Sequence, residues 1–399
     1  MKFTPTKIVY VYYKPQDEKI LVGRLAVKSH KLFFEYDVNF LKTGLNLSPF
    51  KLPLKAGIIP SEDFTFDGMF GVFNDSLPDG WGRLLLDRAL VKHDINPGSL
   101  SLLDRLCFVG SHGMGALTYE PETENAPLLS HASLDEIARE ICEFQEHDDD
   151  SYVEDLLKLG GSSAGARPKI LIDIKGEHWL IKFPSSTDPK DIGAIEYAYH
   201  LMAQDAGLEV PNAKLFPSTK GLGFFGSKRF DRNDCERIYM HTISGLLHAD
   251  HRIPSLDYQM IMKTTMYLTR NMNCCEKQYR QCVFNILSHN RDDHAKNFSF
   301  LMAKDGSWRM SPSYDLTFSS GPSGEHCSMI MGEGKNPGIS HLLELAKINN
   351  IKKNVALCII SEVKAAVAKW PEFAQMVGVS NTNTKLINSA IKEIIKENF

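Results

Sequence analysis

The stretch "NRDDHAKNFSF", from Asn290 to Phe300, is the part of the sequence that decides the fold. It places two aspartates, a histidine, a lysine and an asparagine in one short turn, directly ahead of an apolar, strand-like run. Charged groups lose hydration when they are packed together, so such crowding has a free-energy cost. A polar cluster of this kind therefore indicates a functional site, and the surrounding sequence indicates its chemistry.

The residues after this stretch predict a β-hairpin. The apolar runs Phe298 to Met302 and Trp308 to Met310 flank Asp305-Gly306, which is a strong turn sequence because both residues tolerate positive φ. Folding the chain at this turn brings Asn297 beside Asp315. Mg²⁺ accepts amide and carboxylate oxygens as ligands, together with oxygens of phosphate and water. We therefore expect Asn297 and Asp315 to hold a magnesium ion.

A second hairpin is predicted in "PKILIDIKGEHWLIKFP", from Pro168 to Pro184, with its turn at "KGE". This register places Lys182 across from about Lys169, where the glycine-rich segment "GGSSAG" ends. A polyphosphate needs many hydrogen-bond donors and a positive point charge, and a glycine-rich loop beside an ammonium supplies both. We therefore expect a site for nucleotide phosphates beside Lys182.

The order of these elements along the chain is that of a protein kinase. Protein kinases use an Asp that orients or deprotonates the acceptor hydroxyl, an Asn five residues later that binds metal, and a further metal-binding Asp. Asp292, Asn297 and Asp315 keep this order, with a gap of five residues between the first two. A helix that carries Glu196 follows the strand of Lys182, as the kinase order requires. The ordered set favours phosphotransfer more strongly than any single motif does.

The neighbours of these residues also have predicted roles. Asp293 competes with Asp292 for the role of base, but the gap of five residues to Asn297 favours Asp292. Lys296 is expected to be a local countercharge in the cluster, and His294 is expected to brace the loop rather than to do chemistry.

Composition limits the class of protein. The chain has 399 residues, enough for two or three domains, and a formal net charge of −4, which indicates neither a nucleic-acid-binding nor a membrane-attracted protein. The start, "MKFTPTKIVYVYY", has no long apolar segment, and nothing later has the length of a membrane span. Most of the eight cysteines are expected to be small buried hydrophobic residues. We therefore expect a cytoplasmic protein.

The hydrophobic periodicity of the first third predicts a sheet followed by helices. From Lys7 to Tyr36, apolar and polar residues alternate over short runs, which is typical of an antiparallel sheet. The stretch "DGWGRLLLDRALVKH" then has helical spacing, with Trp81, Leu84, Leu85 and Leu90 along one side. We expect such helices to pack on the sheet, which makes the fold α+β.

A change in composition predicts the domain boundary. A helix that opens with a capping box, Ser133 to Glu136, is followed by the acidic run from Glu146 to Asp150. Later, "AIEYAYHLMAQDAGLEVP" is helical with Gly207 as its C-cap, and from about Leu256 the pattern is mostly helical to the end. We therefore predict an N-terminal domain up to about residue 150 and a second domain after it.

Other chemistries fit the glycine-rich segment less well. Taken alone, "GGSSAGARPK" could be a flexible turn, since an isolated glycine motif has low specificity. It contains G-x-S-x-G, Gly161 to Gly165, but a hydrolase elbow needs a strand before it and a helix after it, and here the order is reversed. A Walker A site fails because Ala166 stands where that motif has its lysine. The pair His248 and His251 lacks a third ligand and is expected to be structural or exposed.

Taken together, these motifs resemble those of the HipA-type serine/threonine kinases, the toxins of bacterial toxin–antitoxin pairs. The similar segments are "FNDSLPDGWGR" and "DRLCFVGSHGMGAL" in the N-terminal domain, "SSAGARPK" in the glycine-rich loop, "LIKFP" at the strand lysine, "KRFDR" in the hinge, and "DDHAKNFSF" with "SPSYDL" at the catalytic and metal motifs. The resemblance covers nearly the full length. It implies a two-lobed, protein-kinase-like α+β fold with an N-terminal β-sheet and helix domain at 1–150 and a kinase core at 151–399, divided into an N-lobe at about 151–230 and a mainly helical C-lobe at about 231–399.

The resemblance also implies which residues form the site. It implies that Asn297 and Asp315 hold Mg²⁺, and that Ser162 or Ser163 is autophosphorylated, which would pull the loop out and block ATP. The catalytic residues would be Asp292, Lys182, Asn297 and Asp315. The residues that bind ATP would be Ser163, Ala164, Gly165, Ala166, Arg167, Lys169, Lys182, Lys228, Phe230, His294 and Tyr314.

For partners, the resemblance implies transfer of the γ-phosphate of ATP to a protein hydroxyl, with aminoacyl-tRNA synthetases as known targets and growth arrest as the outcome. It also implies a HipB-like DNA-binding antitoxin, with no direct contact to nucleic acid and none to a membrane. Arg167, Lys228 and Asp293 depart from the family pattern and concern nucleotide contacts and target choice. The alternative is a catalytically weak binding protein on a kinase scaffold, which acts through an antitoxin–operator complex or sequesters a partner.

Overall fold

The computed structural model describes residues 5–123, 133–146, 150–161 and 165–399. Its first elements are β1 (Ile8–Tyr13), β2 (Ile20–Lys28), β3 (Lys31–Tyr36), α1 (Val38–Thr43), β4 (Ile58–Pro60), α2 (Gly71–Asn74), α3 (Gly80–Lys92), a 3₁₀ turn (Pro97–Ser99), α4 (Leu102–Val109), β5 (Leu117–Glu120), α5 (Leu134–Glu146) and α6 (Val153–Gly160). The strands form one antiparallel sheet in the order β4-β3-β2-β1-β5. Buried residues alternate with more exposed ones along β1 and β3, which confirms the sheet predicted for residues 7–36.

One face of this sheet is covered by α4. Val9 and Val11 of β1 are fully buried and share a hydrophobic cluster with Leu103 and Leu106 of α4. Each large aliphatic side chain contributes about 1.5–3 kcal/mol when it leaves water, so this cluster holds the helix on the sheet.

A second sheet begins after the glycine-rich segment. Its elements are β6 (Lys169–Ile174), β7 (Glu177–Lys182), α7 (Ile192–Asp205), β8 (Ala213–Phe216) and β9 (Phe224–Lys228), and the strands lie in the order β6-β7-β9-β8. β6 and β7 form the predicted hairpin, because the turn residues Lys175 and Gly176 both have positive φ, 56° and 81°. In the register that results, Lys169 pairs with Lys182, as the sequence predicts.

Helices from the first third of the chain pack on this second sheet. Trp81 of α3 contacts Phe144 of α5 edge to face, with 5.5 Å between the ring centroids. Both rings belong to one buried cluster with Ile170 of β6 and Ile181 of β7. The hydrophobic core therefore crosses the boundary predicted near residue 150.

The details of α3 and α5 test two sequence predictions. Trp81 and Leu85 are buried as predicted, but Leu84 is 43 % exposed, so its placement on the buried side is wrong. The buried residues of α3 are adjacent pairs that repeat every four residues, and Leu84 lies outside this stripe. At the start of α5, Ser133 and Glu136 make both hydrogen bonds of the predicted capping box.

The remainder of the chain is mainly helical, as predicted, and completes a two-lobed α+β core. A small sheet has the order β12-β14-β15. Its strand β14 directly follows the polar stretch of residues 290–297, and β14 and β15 form the predicted hairpin. The elements are β10 (Arg232–Asn233), β11 (Glu236–Arg237), β12 (Tyr239–Thr242), α8 (Ile243–Leu247), β13 (Leu256–Asp257), α9 (Tyr258–Thr269), α10 (Met272–Leu287), a 3₁₀ turn (Ala295–Asn297), β14 (Ser299–Met302), β15 (Trp308–Met310), a 3₁₀ turn (Pro322–Gly324), β16 (Ser328–Met329), α11 (Ile339–Ile348), α12 (Lys353–Val367), α13 (Trp370–Val377) and α14 (Asn381–Asn398). Among the helices of the described ranges, none combines the length and apolar character that a membrane span requires.

Candidate active site

Lys182, at the end of β7, is the centre of the polar cluster. Its ammonium is paired with the carboxylate of Glu196 and lies 2.5 Å from Oδ1 of Asp315. Glu196 faces inward from α7 and is 3 % exposed, because its helix is buried on the side that packs against the sheet. The predicted pairing of Lys182 with Glu196 is therefore present, and Asp315 also pairs with Lys182.

The charges of this cluster stabilise each other. Burial would lower the pKa of Lys182, but the carboxylates of Asp315 and Glu196 outweigh burial and hold that pKa above its usual range. Burial would raise the pKa of Asp315, but the ammonium of Lys182 outweighs it and holds that pKa below its usual range. Lys182 and Asp315 therefore each favour the charged form of the other.

Lys169 supplies a second ammonium beside the end of the glycine-rich loop. It is 5 % exposed, and burial together with the charge of Lys182 lowers its pKa to about 8. Gly165 has φ of 93°, a conformation that favours glycine, and a Cβ there would lie 2.4 Å from the Lys169 ammonium. Two cations thus lie at the foot of the loop, as expected for a phosphate site.

The segment that carries Asp315 is fastened to the catalytic loop. The hydroxyl of Tyr314 donates to the backbone oxygen of Lys296 at 2.5 Å, and its ring packs against Phe230 with 5.4 Å between centroids. Asp315 itself has φ of 56°, a left-handed conformation that is uncommon for a residue with a side chain. The hairpin therefore brings the neighbours of Asn297 and Asp315 into direct contact.

Asn297 is held in a defined orientation. Its side-chain Nδ2 donates to the backbone oxygen of Asp292 at 2.7 Å. This bond leaves Oδ1 as the acceptor end of the amide, and within the described residues no hydrogen bond to that atom is present. Amide and carboxylate oxygens are ligands that Mg²⁺ prefers, and the bond between Tyr314 and Lys296 joins the chain neighbours of Asp315 and Asn297.

The two aspartates of the catalytic loop have opposite environments. Asp292 is exposed, and its Oδ1 has a 3.7 Å contact with the thiol of Cys327. Partial burial in the cleft and the negative charge of Asp315 raise the pKa of Asp292. Asp293 is 1 % exposed and accepts bonds from Tyr258 and His326. Of these two aspartates, Asp292 is the one that solvent can reach.

Some predicted residues are engaged elsewhere. Lys296 is paired with Asp79 of the N-terminal region, so the expectation that it is a countercharge within the cluster is wrong. Arg167 makes a two-pronged ion pair with Asp188, with two contacts of 3.1 Å, which ties its guanidinium to the loop ahead of α7. In the predicted hinge, the N–H of Lys228 already donates to a backbone oxygen of the neighbouring strand loop at 2.7 Å.

His294 stands at the start of the 3₁₀ turn that carries Asn297. Its Nδ1 is buried and has no hydrogen-bond partner within the part of the chain that is described. Its ring lies edge to face with that of His251 at 5.8 Å, so the loop is braced by packing on this side. The predicted loop residues Ser162, Ser163 and Ala164 lie outside the described residues.

Two residues beside the site have no predicted role. Asp79 bridges the glycine-rich loop and the catalytic loop, and Cys327 contacts the candidate base. The only local signal for Asp79 is its place ahead of a glycine at a helix start, which indicates an N-cap and not a contact with Lys296, 217 residues away. For Cys327 the sequence contains no such signal.

Over the described ranges, no group of three or more His, Cys, Asp or Glu side chains is arranged to hold a metal by itself. Mg²⁺ in nucleotide sites takes few ligands from protein and the others from phosphate and water. If Mg²⁺ and a nucleotide are bound here, Asn297 and Asp315 would hold the metal and Lys182 would lie beside the phosphates.

The fold and this cluster together define a protein with a two-lobed, kinase-like architecture. The sequence profile of the HipA-like C-terminal domain matches residues 161–370, and that of the HipA N-terminal domain matches residues 16–120. The first match alone covers more than half of the chain. The chain belongs to the HipA family.

Individual relatives are distant. The HipA of the Shewanella oneidensis MR-1 toxin–antitoxin system, solved with HipB and its operator DNA, superposes with a TM-score of 0.69 at 16 % identity, covering 96 % of this chain and 95 % of that one. The Helicobacter pylori proinflammatory kinase CtkA superposes with a TM-score of 0.38 at 14 % identity, covering 59 % of this chain and 90 % of that one. A curated Haemophilus influenzae protein, described as "Putative kinase", is 24 % identical over 180 residues, which are 39 % of this chain and 52 % of that protein. The match thus spans about half the length of that relative.

Proposed function

We propose that this protein is an Mg²⁺- and ATP-dependent serine/threonine protein kinase of the HipA toxin type. The observation that carries the proposal is the pairing of Lys182 with both Glu196 and Asp315. Among proteins with a kinase-like fold, active kinases need this lysine–glutamate pair and the metal-binding aspartate in place at the same time. The description of the Haemophilus relative and membership of the HipA family support the same activity.

In the proposed reaction, each residue has a defined task. Lys182 and Lys169 would bind phosphate oxygens. Asn297 and Asp315 would hold Mg²⁺, which would supply positive charge beside the phosphates. The oxygen of the acceptor hydroxyl bonds to the γ-phosphorus, and Asp292 accepts the proton of that hydroxyl. The bond between the γ-phosphorus and the bridging oxygen breaks, and ADP leaves with that oxygen. Because phosphoryl transfer needs little covalent chemistry from the protein, positioning and charge neutralisation provide most of the acceleration.

Transfer of labelled phosphate from γ-³²P-ATP, with Mg²⁺ present and absent, tests the activity. We expect labelled protein only with Mg²⁺. Asp315→Ala is expected to abolish labelling and to make nucleotide affinity the same with and without Mg²⁺, because it removes a charged metal ligand. Asp17→Ala, a change to an exposed turn carboxylate of the N-terminal sheet, is the matched control and is expected to behave as the unaltered protein.

An unaltered protein that transfers no phosphate with Mg²⁺ would refute the kinase proposal. It would favour the alternative of a binding protein on a kinase scaffold. Nucleotide affinity that still depends on Mg²⁺ after Asp315→Ala would refute the metal-binding role of Asp315 alone.

The proposed acceptor is a serine or threonine hydroxyl of another protein, and an aminoacyl-tRNA synthetase is the target class that the family suggests. Phosphoproteomics after induced expression identifies the acceptor, with the Asp292→Asn protein as the inactive control. Growth arrest is expected with the active protein only. Phosphorylation that rises equally with both proteins would contradict a direct substrate.

The proposed regulation is autophosphorylation of Ser162 or Ser163 in the glycine-rich loop. Replacing both serines with alanine is expected to give a kinase that stays active for longer after exposure to ATP. Mass spectrometry of the loop peptide checks the modification directly. Loss of activity over time that is unchanged in the double variant would argue against this regulation.

The proposed partner is a HipB-like DNA-binding antitoxin. The basis is the fold similarity over 96 % of this chain to the Shewanella HipA, which was solved with HipB and operator DNA. With a formal net charge of −4, the chain alone is expected to leave DNA mobility unchanged in a gel-shift experiment. A shift by the chain alone would contradict binding through the antitoxin.

A further inference from the structure

Asp79 occupies the N-cap position of α3 but does not cap that helix. An aspartate at this position usually accepts a backbone N–H from the first turn of its own helix, whereas the side chain of Asp79 makes no such bond. Its Oδ1 accepts the N–H of Gly165, and its Oδ2 accepts a bond from the ammonium of Lys296. One carboxylate thus joins two segments that are 86 and 217 residues away from it.

The turn that carries Asp79 is fitted closely to the end of the glycine-rich loop. The N–H of Trp81 donates to the oxygen of Gly165 at 3.0 Å, so Gly165 is held through both its N–H and its C=O. A Cβ on Gly80 would lie 2.6 Å from the oxygen of Gly165 and 2.7 Å from Cα of Ala166. Glycine at position 80 is therefore what allows the two backbones to approach.

The other end of the contact lies inside the catalytic loop. Lys296 is between Asp292 and Asn297 in sequence, and its side chain is 8 % exposed. Its backbone oxygen accepts the hydroxyl of Tyr314, which is the neighbour of Asp315. A displacement of Lys296 would therefore move the candidate base and both metal ligands.

The carboxylate of Asp79 stays charged in this setting. Burial would raise its pKa, but the ammonium of Lys296 and the N–H of Gly165 outweigh burial and hold the pKa below its usual range. His251 approaches the same carboxylate, with 3.4 Å between Nε2 and Oδ2. The contact is therefore a persistent charge-assisted one, of the stronger kind of hydrogen bond.

We propose that Asp79, Gly165 and Lys296 form a clasp that sets the position of the glycine-rich loop relative to the catalytic loop, with Asp79 as a positioning residue for phosphotransfer. The clasp joins the nucleotide-binding half of the cleft to the catalytic half through the N-terminal region. Asp79 touches neither the nucleotide nor the acceptor, and it acts by orienting groups that do. This inference rests on the proposed kinase function.

The test compares Asp79→Asn with two control variants. Asp79→Asn keeps the shape of the side chain but removes the charge that holds Lys296. Asp87→Asn, on the same helix, removes a carboxylate paired with Arg105 at 2.8 Å and leaves the clasp untouched. Asp79→Glu keeps the charge and is expected to restore part of the activity. The readouts are the kcat and KM for ATP in labelled-phosphate transfer, and the amide exchange rate of the peptide that contains Gly165.

For Asp79→Asn we expect kcat to fall about 10- to 100-fold, because small misplacements of reacting groups have effects of this size. The KM for ATP is expected to change only a few-fold, since the phosphate-binding lysines remain. Exchange at Gly165 is expected to become at least about tenfold faster, as the N–H loses a charge-assisted acceptor. Asp87→Asn is expected to leave all three values unchanged.

A folded Asp79→Asn protein with an unchanged kcat would overturn the proposal, and so would an equal loss of kcat in Asp87→Asn. If Asp79→Asn fails to fold, Asp79→Glu becomes the test. The proposal is then overturned if Asp79→Glu has the kcat of the unaltered protein and an unchanged amide exchange rate at Gly165. If the unaltered protein transfers no phosphate, the kinase proposal fails, and exchange at Gly165 then decides the clasp by itself. In that case, an unchanged amide exchange rate at Gly165 in Asp79→Asn would refute the clasp.

Discussion

The exposed face and the buried face of the catalytic loop use the same residue type in opposite ways. Asp292, on the exposed face, has a weak contact with one thiol and a raised pKa. Asp293, on the buried face, accepts bonds from the hydroxyl of Tyr258 at 3.0 Å, from a ring nitrogen of His326 at 2.9 Å and from the N–H of Ser328 at 3.2 Å. The environment, and not the residue type, therefore separates the candidate base from a structural acid.

The buried face of the loop has a structural role. Both oxygens of Asp293 are satisfied by donors from α9, β16 and the turn ahead of β16, so the charge is buried at a tolerable cost. The exposed face lacks such partners, and its carboxylate is left free to accept a proton. The comparison therefore predicts that the two aspartates fail in different ways when they are altered.

Among changes to the two faces, the largest expected effect comes from Asp292→Asn. The amide cannot accept the proton of the acceptor hydroxyl, so kcat is expected to fall about 10²- to 10⁴-fold. Stability is expected to be unchanged or slightly higher, because the change removes a carboxylate that is held close to Asp315. Labelled-phosphate transfer measures kcat, and urea unfolding measures the stability. A variant with full activity would exclude Asp292 as the base.

The next largest effect is expected from Asp293→Asn. Since both oxygens of Asp293 accept bonds, either orientation of an amide would place an N–H against a donor. We expect the free energy of unfolding to fall by about 2–4 kcal/mol, and activity per folded molecule to be largely retained. Urea unfolding gives the first value, and activity at low temperature gives the second. An undiminished free energy of unfolding would contradict a structural role for Asp293.

A smaller effect is expected from pH at Lys169, whose pKa is lowered to about 8. The ammonium is charged below that pH and neutral above it, so affinity for the anionic nucleotide should decrease as pH rises from 7 to 9. Titration of Mg-ATP binding at several pH values measures the change. Lys169→Met is expected to lose this pH dependence, and a variant that keeps it unchanged would assign it to another group.

The smallest effect is expected from Cys327→Ala, which tests the contact between the thiol and Asp292. The thiol contact lowers the pKa of Asp292 against the raising effects of burial and of Asp315. Protonated Asp292 cannot act as base, so activity is lost as pH falls, and removing the thiol should move that loss to higher pH. The pH profile of kcat measures the shift. A shift toward lower pH would contradict the contact.

The two faces also show how far the sequence predicts such a site. The turn Lys175-Gly176 and the turn at Asp305-Gly306 are local signals, so both hairpins and the pairing of Lys169 with Lys182 are confirmed. The buried Glu196 beside Lys182 agrees with the kinase order along the chain. Local turn chemistry and motif order thus carry most of the arrangement around Lys182.

Contacts between distant segments could not be predicted in this way. The partner of Lys296 is Asp79, and no local pattern links residues 217 positions apart. The exposure of Leu84 depends on the rotation of α3 on the second sheet, which is set by the packing of Trp81 against Phe144. The core that crosses residue 150 has the same origin, because it is formed by side chains that meet only in the folded protein.

A crystal structure of the protein with Mg²⁺ and a non-hydrolysable ATP analogue would show whether the nucleotide and metal bind in this cleft. We expect a metal at the ordinary Mg–oxygen distance, about 2.1 Å, from Asn297 and Asp315. We also expect that the terminal phosphate faces Asp292 and that Asp293 stays covered. A nucleotide bound outside this cleft, or a metal held by neither Asn297 nor Asp315, would contradict these expectations.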